Sequence, residues 1–267
     1  PLAGVWPSHH DLARASEKSY NYLVQPRASG EVAVACRGKR LALACGLHCF
    51  IINFSLEACV FSLPQDVFLR LVAQDIPGPS AARGEIMRSF PIPLEFNDPV
   101  SRNPDKQRYV NISLAIITPE KVYCVGDYSR LVSFIVISRS MPYRQIELTP
   151  GTETWSLIFD RWLEGGPDWV WECKLAGSAL LRWRLAVLRD LSGWRRPIAE
   201  VLCTVQSIFN GFGRHTANDL CHMLCLHPLL PTSFICQDDI LFSKLYKGIE
   251  AYTNFWNTKD YYNTVAV

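Results

Sequence analysis

Charge is what this sequence has least of. Asp, Glu, Lys and Arg make up 19% of its 267 residues, below the quarter usual in a globular domain. The formal charge is +2 and the isoelectric point about 8.2, short of the basic excess expected of a nucleic-acid-binding domain. Acidic tails, low-complexity tracts and internal repeats are absent. So are G-x-x-x-x-G-K-[ST], H-E-x-x-H, G-x-S-x-G and a complete G-x-G-x-x-G. Those absences remove the P-loop, the zincin site, the hydrolase elbow and the dinucleotide fingerprint. No C-x-x-C knuckle occurs, so a zinc site would have to draw its ligands from separate elements.

A membrane span is also missing. Residues 41–63 are largely apolar and follow Arg37-Gly38-Lys39-Arg40, which resembles a basic flank. His48, Asn53 and Glu57 interrupt the run, and each is costly at bilayer depth. Strands explain the pattern better.

What is present is apolar and aromatic: 49% hydrophobic residues, with 8 Trp, 10 Tyr and 13 Phe. A chain of this length buries about three-quarters of the surface its unfolded form exposes, so the core needs no covalent staples. Ten cysteines are scattered through apolar runs, as in Val34-Ala35-Cys36 and Val201-Leu202-Cys203. In such places a thiol behaves as a small hydrophobe. Cys36 and Cys45 fall on one face of a predicted hairpin about 13 Å apart at strand rise, beyond disulfide reach. Buried thiols in a reducing, intracellular setting are therefore expected ahead of a secreted, disulfide-linked chain. The sequons at Asn53 and Asn111 lie in predicted strands, where a glycan is awkward.

The order of elements gives the fold class. Residues 8–22 predict a short helix opened by Ser8. Residues 31–36 and 41–45 alternate with period two around Gly38-Lys39, a hairpin signal. Apolar runs at 50–54 and 58–61 continue the strands, Pro64 breaks them, and 66–72 fits helix or strand. Residues 77–105 carry Pro77, Pro79, Pro91, Pro93, Pro99 and Pro104; each fixes φ and removes a donor, which predicts a strap without regular structure. Residues 110–116, 122–125 and 132–137 predict a three-strand meander.

Beyond Pro150 the period becomes helical. Trp155, Ile158, Phe159 and Trp162 mark a helix over 154–164. Ala176, Leu180, Trp183, Val187 and Leu191 form one stripe over 175–191, with Trp194 continuing its phase. Pro197 opens a helix expected to reach Phe209, Thr216 caps one over 217–226, and 239–255 forms the last. Strands first and helices second predict an α+β fold: an antiparallel β-rich half over 1–150, with the strap, packed on a helical half over 151–267.

The densest functional cluster is His215, Asp219, Cys221, His222, Cys225 and His227. Cys221 near a helix start, with His222 and Asp219 beside it, is the candidate nucleophilic site, since a thiolate needs a positive setting and a base. Cys221, Cys225, His227 and Cys236 are the candidate zinc ligands. The bland alternative, buried thiols beside a helix end, is preferred, and no cofactor is expected. Gly211-Phe212-Gly213 precedes a helix start and can receive an anion there. Arg182, Arg184, Arg189, Arg195 and Arg196 interleave with Trp183 and Trp194, as phosphate- and base-binding surfaces do. Both tryptophans lie on the apolar stripe, however, so core duty is expected of them and nucleic acid is not expected as a partner.

The low charge and many aromatics predict a non-enzymatic interaction or assembly protein. Its surface would include Trp256, Tyr261, Tyr262, Arg195 and Arg196, and its partner would be another protein or a second copy. A cysteine- or zinc-dependent hydrolase centred on Cys221, His222 and Cys225 is the alternative, and a secreted disulfide-bonded binder the third reading.

Overall fold

Two tight hairpins open the described chain, and glycine makes both. Strands β1 (Val32–Arg37) and β2 (Arg40–Cys45) join through Gly38-Lys39, and β2 joins β3 (His48–Asn53) through Gly46-Leu47. Gly38 and Gly46 sit at φ +58° and +56°, a region costly to any residue with a Cβ. The computed structural model describes residues 30–54, 58–74, 76–77, 88–96, 106–127, 131–160, 165–256 and 258–265. The helix expected over 8–22 lies outside them.

The remaining strands are β4 (Ala58–Pro64), β5 (Ile76–Pro77), β6 (Arg88–Pro91), β7 (Tyr109–Val110), β8 (Ile112–Ile117), β9 (Lys121–Asp127) and β10 (Ser133–Ser138). Helix α1 (Gln65–Ala73) follows β4 directly. Its Phe68, Leu71 and Val72 are buried at the i, i+3, i+4 spacing of a helical face, which decides the segment that fitted helix or strand. The sheets have the orders β1-β2-β3-β10, β4-β9-β8 and β5-β6-β7.

Two expectations change here. β10 does not complete a meander with β8 and β9. It pairs antiparallel with β3, Ser133 opposite Asn53 through Ser138 opposite His48. The reason is occupancy: β4 takes the other edge of β9 along seven pairs, from Ala58 opposite Asp127 to Pro64 opposite Lys121. The Asp127 carboxylate then accepts the Val132 amide at 2.6 Å, tying the start of the next segment. The proline strap is also not wholly irregular. Pro77 and Pro91 stand in the short strands β5 and β6. Such short strands need few ladder donors, so a proline costs little there.

After residue 143 the elements are helices: α2 (Glu153–Phe159), α3 (Cys173–Arg189), α4 (Ile198–Thr204), α5 (Arg214–Met223), α6 (Thr232–Gln237), α7 (Asp239–Phe255) and α8 (Lys259–Val265). The fold is α+β, antiparallel sheets followed by helices, as the order of sequence periods predicts. Among the described residues no helix is long and apolar enough to cross a membrane.

The chain forms two compact units, one of residues 1–32 and 43–143, the other of 33–42 and 144–267. The first has a core of Phe68, Leu71, Val72, Phe90, Val110, Ile112, Val122 and Cys124. Asn111 is held there by its side chain, which accepts from Ser89 Oγ at 2.8 Å and donates to Asp127 O at 3.2 Å, so this sequon asparagine is engaged on both sides. In the second unit the α3 stripe supplies Ala176, Leu180, Trp183 and Val187 to the core. Trp183 meets Trp194 and Phe209 edge-on, with ring centroids 5.9 and 5.0 Å apart. Core duty for the tryptophans is what the structure has.

Helix α4 ends at Thr204, five residues short of Phe209. Gln206 turns back and donates to the Cys203 carbonyl at 2.9 Å, giving that terminal acceptor a side-chain partner. Helix α5 starts three residues earlier than expected, and Thr216 is not its N-cap. Gly213 is the cap residue, and Thr216 Oγ1 reaches back to accept its amide at 2.8 Å. Asp238 caps α7, accepting from the Ile240 and Leu241 amides.

Candidate nucleic-acid interface

The tip of the β1–β2 hairpin belongs to the helical unit, and a set of buried charges fixes it there. Arg37, buried at the end of β1, grips Glu172 through Nε to Oε2 at 2.7 Å and Nη2 to Oε1 at 3.2 Å, a bidentate fork. Its Nη1 reaches Asp160 at the end of α2. The next residue, Gly38, donates its amide to Asp168 Oδ2 at 2.8 Å. Asp168 also accepts the Val170 and Trp171 amides, and Glu172 Oε2 accepts the Asp168 amide. One step before, Cys36 Sγ accepts the Trp171 indole N–H at 3.3 Å. Burial pushes the Cys36 thiol up, and that hydrogen bond opposes it.

These contacts leave Lys39 directed at the start of α5. Its ammonium donates to the Phe212 carbonyl at 3.1 Å. Gln206 Nε2 donates to the same carbonyl at 3.0 Å, and its Oε1 accepts the Gly211 amide. Gly211 sits at φ +94°, so the loop bends where only glycine is cheap. Asn210 braces the other side by donating to the Gly166 carbonyl at 2.6 Å. A Cβ on Gly38 would collide with the Asn210 side chain, and one on Gly166 with the Ser207 backbone. The hairpin tip, residues 165–168 and the loop into α5 are therefore in direct contact.

In the first turn of α5 the amides of Arg214, His215 and Thr216 have no carbonyl a turn earlier to bond, and the helix dipole places partial positive charge there. Arg214 and His215 are exposed. Lys39 and Arg214 both act on Cys203, whose thiol is pushed up by burial and pulled back by these two cations. Two cations and a helix start thus meet at one loop, an arrangement suited to a phosphate.

The other expected site residues fall as follows. Cys221 is 2% exposed and sits in the core; burial, with Cys203 nearby, pushes its thiol up to about 11, the opposite of an activated nucleophile. His222 and Asp219 are exposed. Cys225 does not share a helical face with Cys221. It lies past the helix at φ +49°, and the Leu226 amide returns to the Cys221 carbonyl at 2.9 Å, closing a Schellman turn. His227 is exposed and its Nδ1 accepts the Leu229 amide. Cys236 is buried, its thiol pushed up to about 12 by burial, and its carbonyl accepts from Arg184. Among the described residues no three His, Cys, Asp or Glu side chains gather as a metal site requires. Cys36, Cys49, Cys59, Cys124, Cys173, Cys203, Cys221, Cys225 and Cys236 are free thiols.

Arg195 is exposed. Arg196 is engaged with Glu200 at 3.0 Å and Thr204 at 2.7 Å. Trp256 and Tyr262 are exposed and Tyr261 is half-buried. Lys39, Gln206, Asn210 and Arg214 were not singled out from the sequence. The one available signal was the Gly211-Phe212-Gly213 run, read there as an anion seat without its cations.

No protein-family model matches the chain, and no curated protein sequence matches it. Solved structures do match in fold. MutM in complex with DNA containing carbocyclic 8-oxo-G is 12% identical with a TM-score of 0.52, over 92% of this chain and 70% of that one. A Lactococcus lactis Fpg mutant bound to DNA containing Fapy-dG gives 12% and 0.55, over 90% and 64%. Lactococcus lactis Fpg with DNA containing an abasic site gives 12% and 0.52, over 90% and 65%. The fold is Fpg-like. The chain spans about two thirds of the length of these structures.

This likeness overturns two expectations. The chain was read as a non-enzymatic interaction protein with a protein partner and without nucleic acid, yet the proteins sharing its fold are DNA-bound Fpg and MutM. The physical reason the reading failed is that net charge averages the whole chain, whereas DNA is met by a few cations brought together locally.

Proposed function

We propose that this chain binds DNA and recognises damaged or abasic duplex, in the manner of a repair protein with glycosylase-like action. The observation that carries the reading is Lys39 held at the start of α5 beside Arg214, within an Fpg-like fold. In this reading the phosphate backbone sits against the first-turn amides of α5, neutralised by Lys39, Arg214 and the helix dipole. The buried Arg37–Glu172–Asp168 set keeps the hairpin tip rigid, so the cation is placed before DNA arrives and little ordering cost remains at binding.

The test is binding by fluorescence anisotropy to duplexes carrying 8-oxo-G, an abasic site or no lesion, at several salt concentrations. The lesion duplexes should bind more tightly than the intact one. Lys39→Ala and Arg214→Ala should each weaken binding about fivefold or more and reduce the slope of log K against log salt by about 1. Release of the damaged base or strand nicking, followed in the same mixtures, measures the glycosylase step. Unchanged affinity in the Lys39→Ala Arg214→Ala double variant would sink the reading.

A further inference from the structure

A ladder of aromatic rings runs from the phosphate seat to the surface. Phe212, whose carbonyl accepts from Lys39, is itself 3% exposed. Its ring stacks on Tyr252 of α7, centroids 5.9 Å apart at 27°. Tyr252 meets Trp256 edge-on at 5.7 Å, and Trp256 lies 4.8 Å from Tyr261 of α8. Tyr261 also touches Phe255 at 5.6 Å. Exposure rises along the ladder, reaching 44% for both Phe255 and Trp256. The C-terminal end of α7 and the start of α8 therefore present a half-open indole two ring contacts from Phe212.

The local charge says what fits there. Burial raises the Tyr252 hydroxyl, and the charge of Asp219 raises it further. The loop offers cations, and the rings offer a neutral π-face. A nucleotide has this division: its phosphate suits Lys39 and Arg214, and its base suits the rings. Inside a duplex both faces of a base are already stacked, so only an unpaired or extruded base can use the platform.

We infer that Trp256, backed by Tyr252 and Tyr261, is a stacking platform for an unpaired nucleobase of the bound DNA strand. This rests on the DNA-binding reading above and adds to it a base subsite outside the cation loop. Losing a stacked base weakens binding about fivefold to a hundredfold. Trp256→Ala should therefore weaken binding about tenfold to a single-stranded oligonucleotide and to a duplex with an unpaired 2-aminopurine opposite an abasic site. Stacking releases no counterions, so the salt slope should stay that of the unsubstituted protein, whereas Lys39→Ala reduces it.

The experiment measures both affinities, their salt slopes and the quenching of 2-aminopurine fluorescence, for Trp256→Ala, Trp256→Leu and Trp256→Phe, with circular dichroism as the check on folding. The expected result is weakening and lost quenching in the Ala and Leu variants, with Phe retaining most of both. If Lys39→Ala weakens binding and the folded Leu variant does not, the platform is wrong and the DNA reading stands. Equal weakening toward a fully paired, undamaged duplex would make Trp256 a structural support and also overturn it. A shift of Trp256→Leu from dimer to monomer on gel filtration would assign the rings to self-association instead. No binding to any of these DNAs removes both inferences.

Discussion

Cys225 holds a backbone conformation that its side chain opposes. It is the residue past the end of α5, at φ +49°, the one described non-glycine residue at positive φ. A Cβ in the left-handed region costs about 1–2 kcal/mol, and glycine, the usual occupant of this position, avoids it. Glycine loses more chain entropy on folding, so Cys225→Gly should raise stability by about 0.5–1 kcal/mol. Urea unfolding checks this: the midpoint rises with the slope unchanged, whereas a fall would mean that the exposed thiol makes a stabilising contact. The same residue marks a limit of sequence reading. Cys221 and Cys225 are four apart inside a run of helical period, the spacing of one helical face. The turn that separates them is set by the Leu226 amide returning to Cys221, and no Gly or Asn announces it.

At the scale of elements, the hairpin tip depends on one buried carboxylate more than on the other two. The Glu172 side chain is 5% exposed and that of Asp160 is 54% exposed, although both bind Arg37. Removing one partner of a buried pair strands the other charge, at a cost of about 3–5 kcal/mol. A half-exposed pair contributes less than about 1 kcal/mol. Glu172→Gln should therefore destabilise the protein severely and Asp160→Asn hardly at all, read from thermal or urea unfolding. Equal effects would mean that solvent reaches Glu172. Local elements were legible where one segment carries its own period. The stripe of Ala176, Leu180, Trp183 and Val187 gave α3, and the limits of α7 matched because Asp238 caps its start. The partner of β10 was not legible, since its alternating pattern fits any edge and the choice of β3 depends on β4 having already covered β9. The tie between Arg37 and Glu172 spans 135 residues, and no local pattern encodes it.

For the whole molecule, the candidate site was half legible. The glycine run before α5 was visible as an anion seat, but Lys39 lies 173 residues from the Phe212 it bonds, so only the folded chain brings cation and helix together. The thiols were legible in part: the apolar neighbours that foretold burial leave Cys36, Cys45 and Cys203 only half-buried. Cys49, Cys124, Cys221 and Cys236 are buried, while Cys59, Cys173 and Cys225 are exposed. Burial pushes Cys49, Cys124 and Cys236 up to about 12 and Cys221 up to about 11, from an ordinary 9.0. The folded state thus favours the neutral thiol. Below pH 9 both states are protonated at these sites and their contribution to stability is fully present. From pH 9 to 11–12 the unfolded chain binds fewer protons, so stability falls as pH rises. Each of the four thiols adds to that fall. The urea midpoint should hold between pH 7 and 8 and fall as pH rises from 9 to 11. In native protein at pH 8 a thiol reagent should modify Cys59, Cys173 and Cys225 at once and reach Cys49, Cys124, Cys221 and Cys236 only on unfolding. A flat alkaline limb, or rapid modification of all ten thiols, would show that water reaches these side chains in the folded protein.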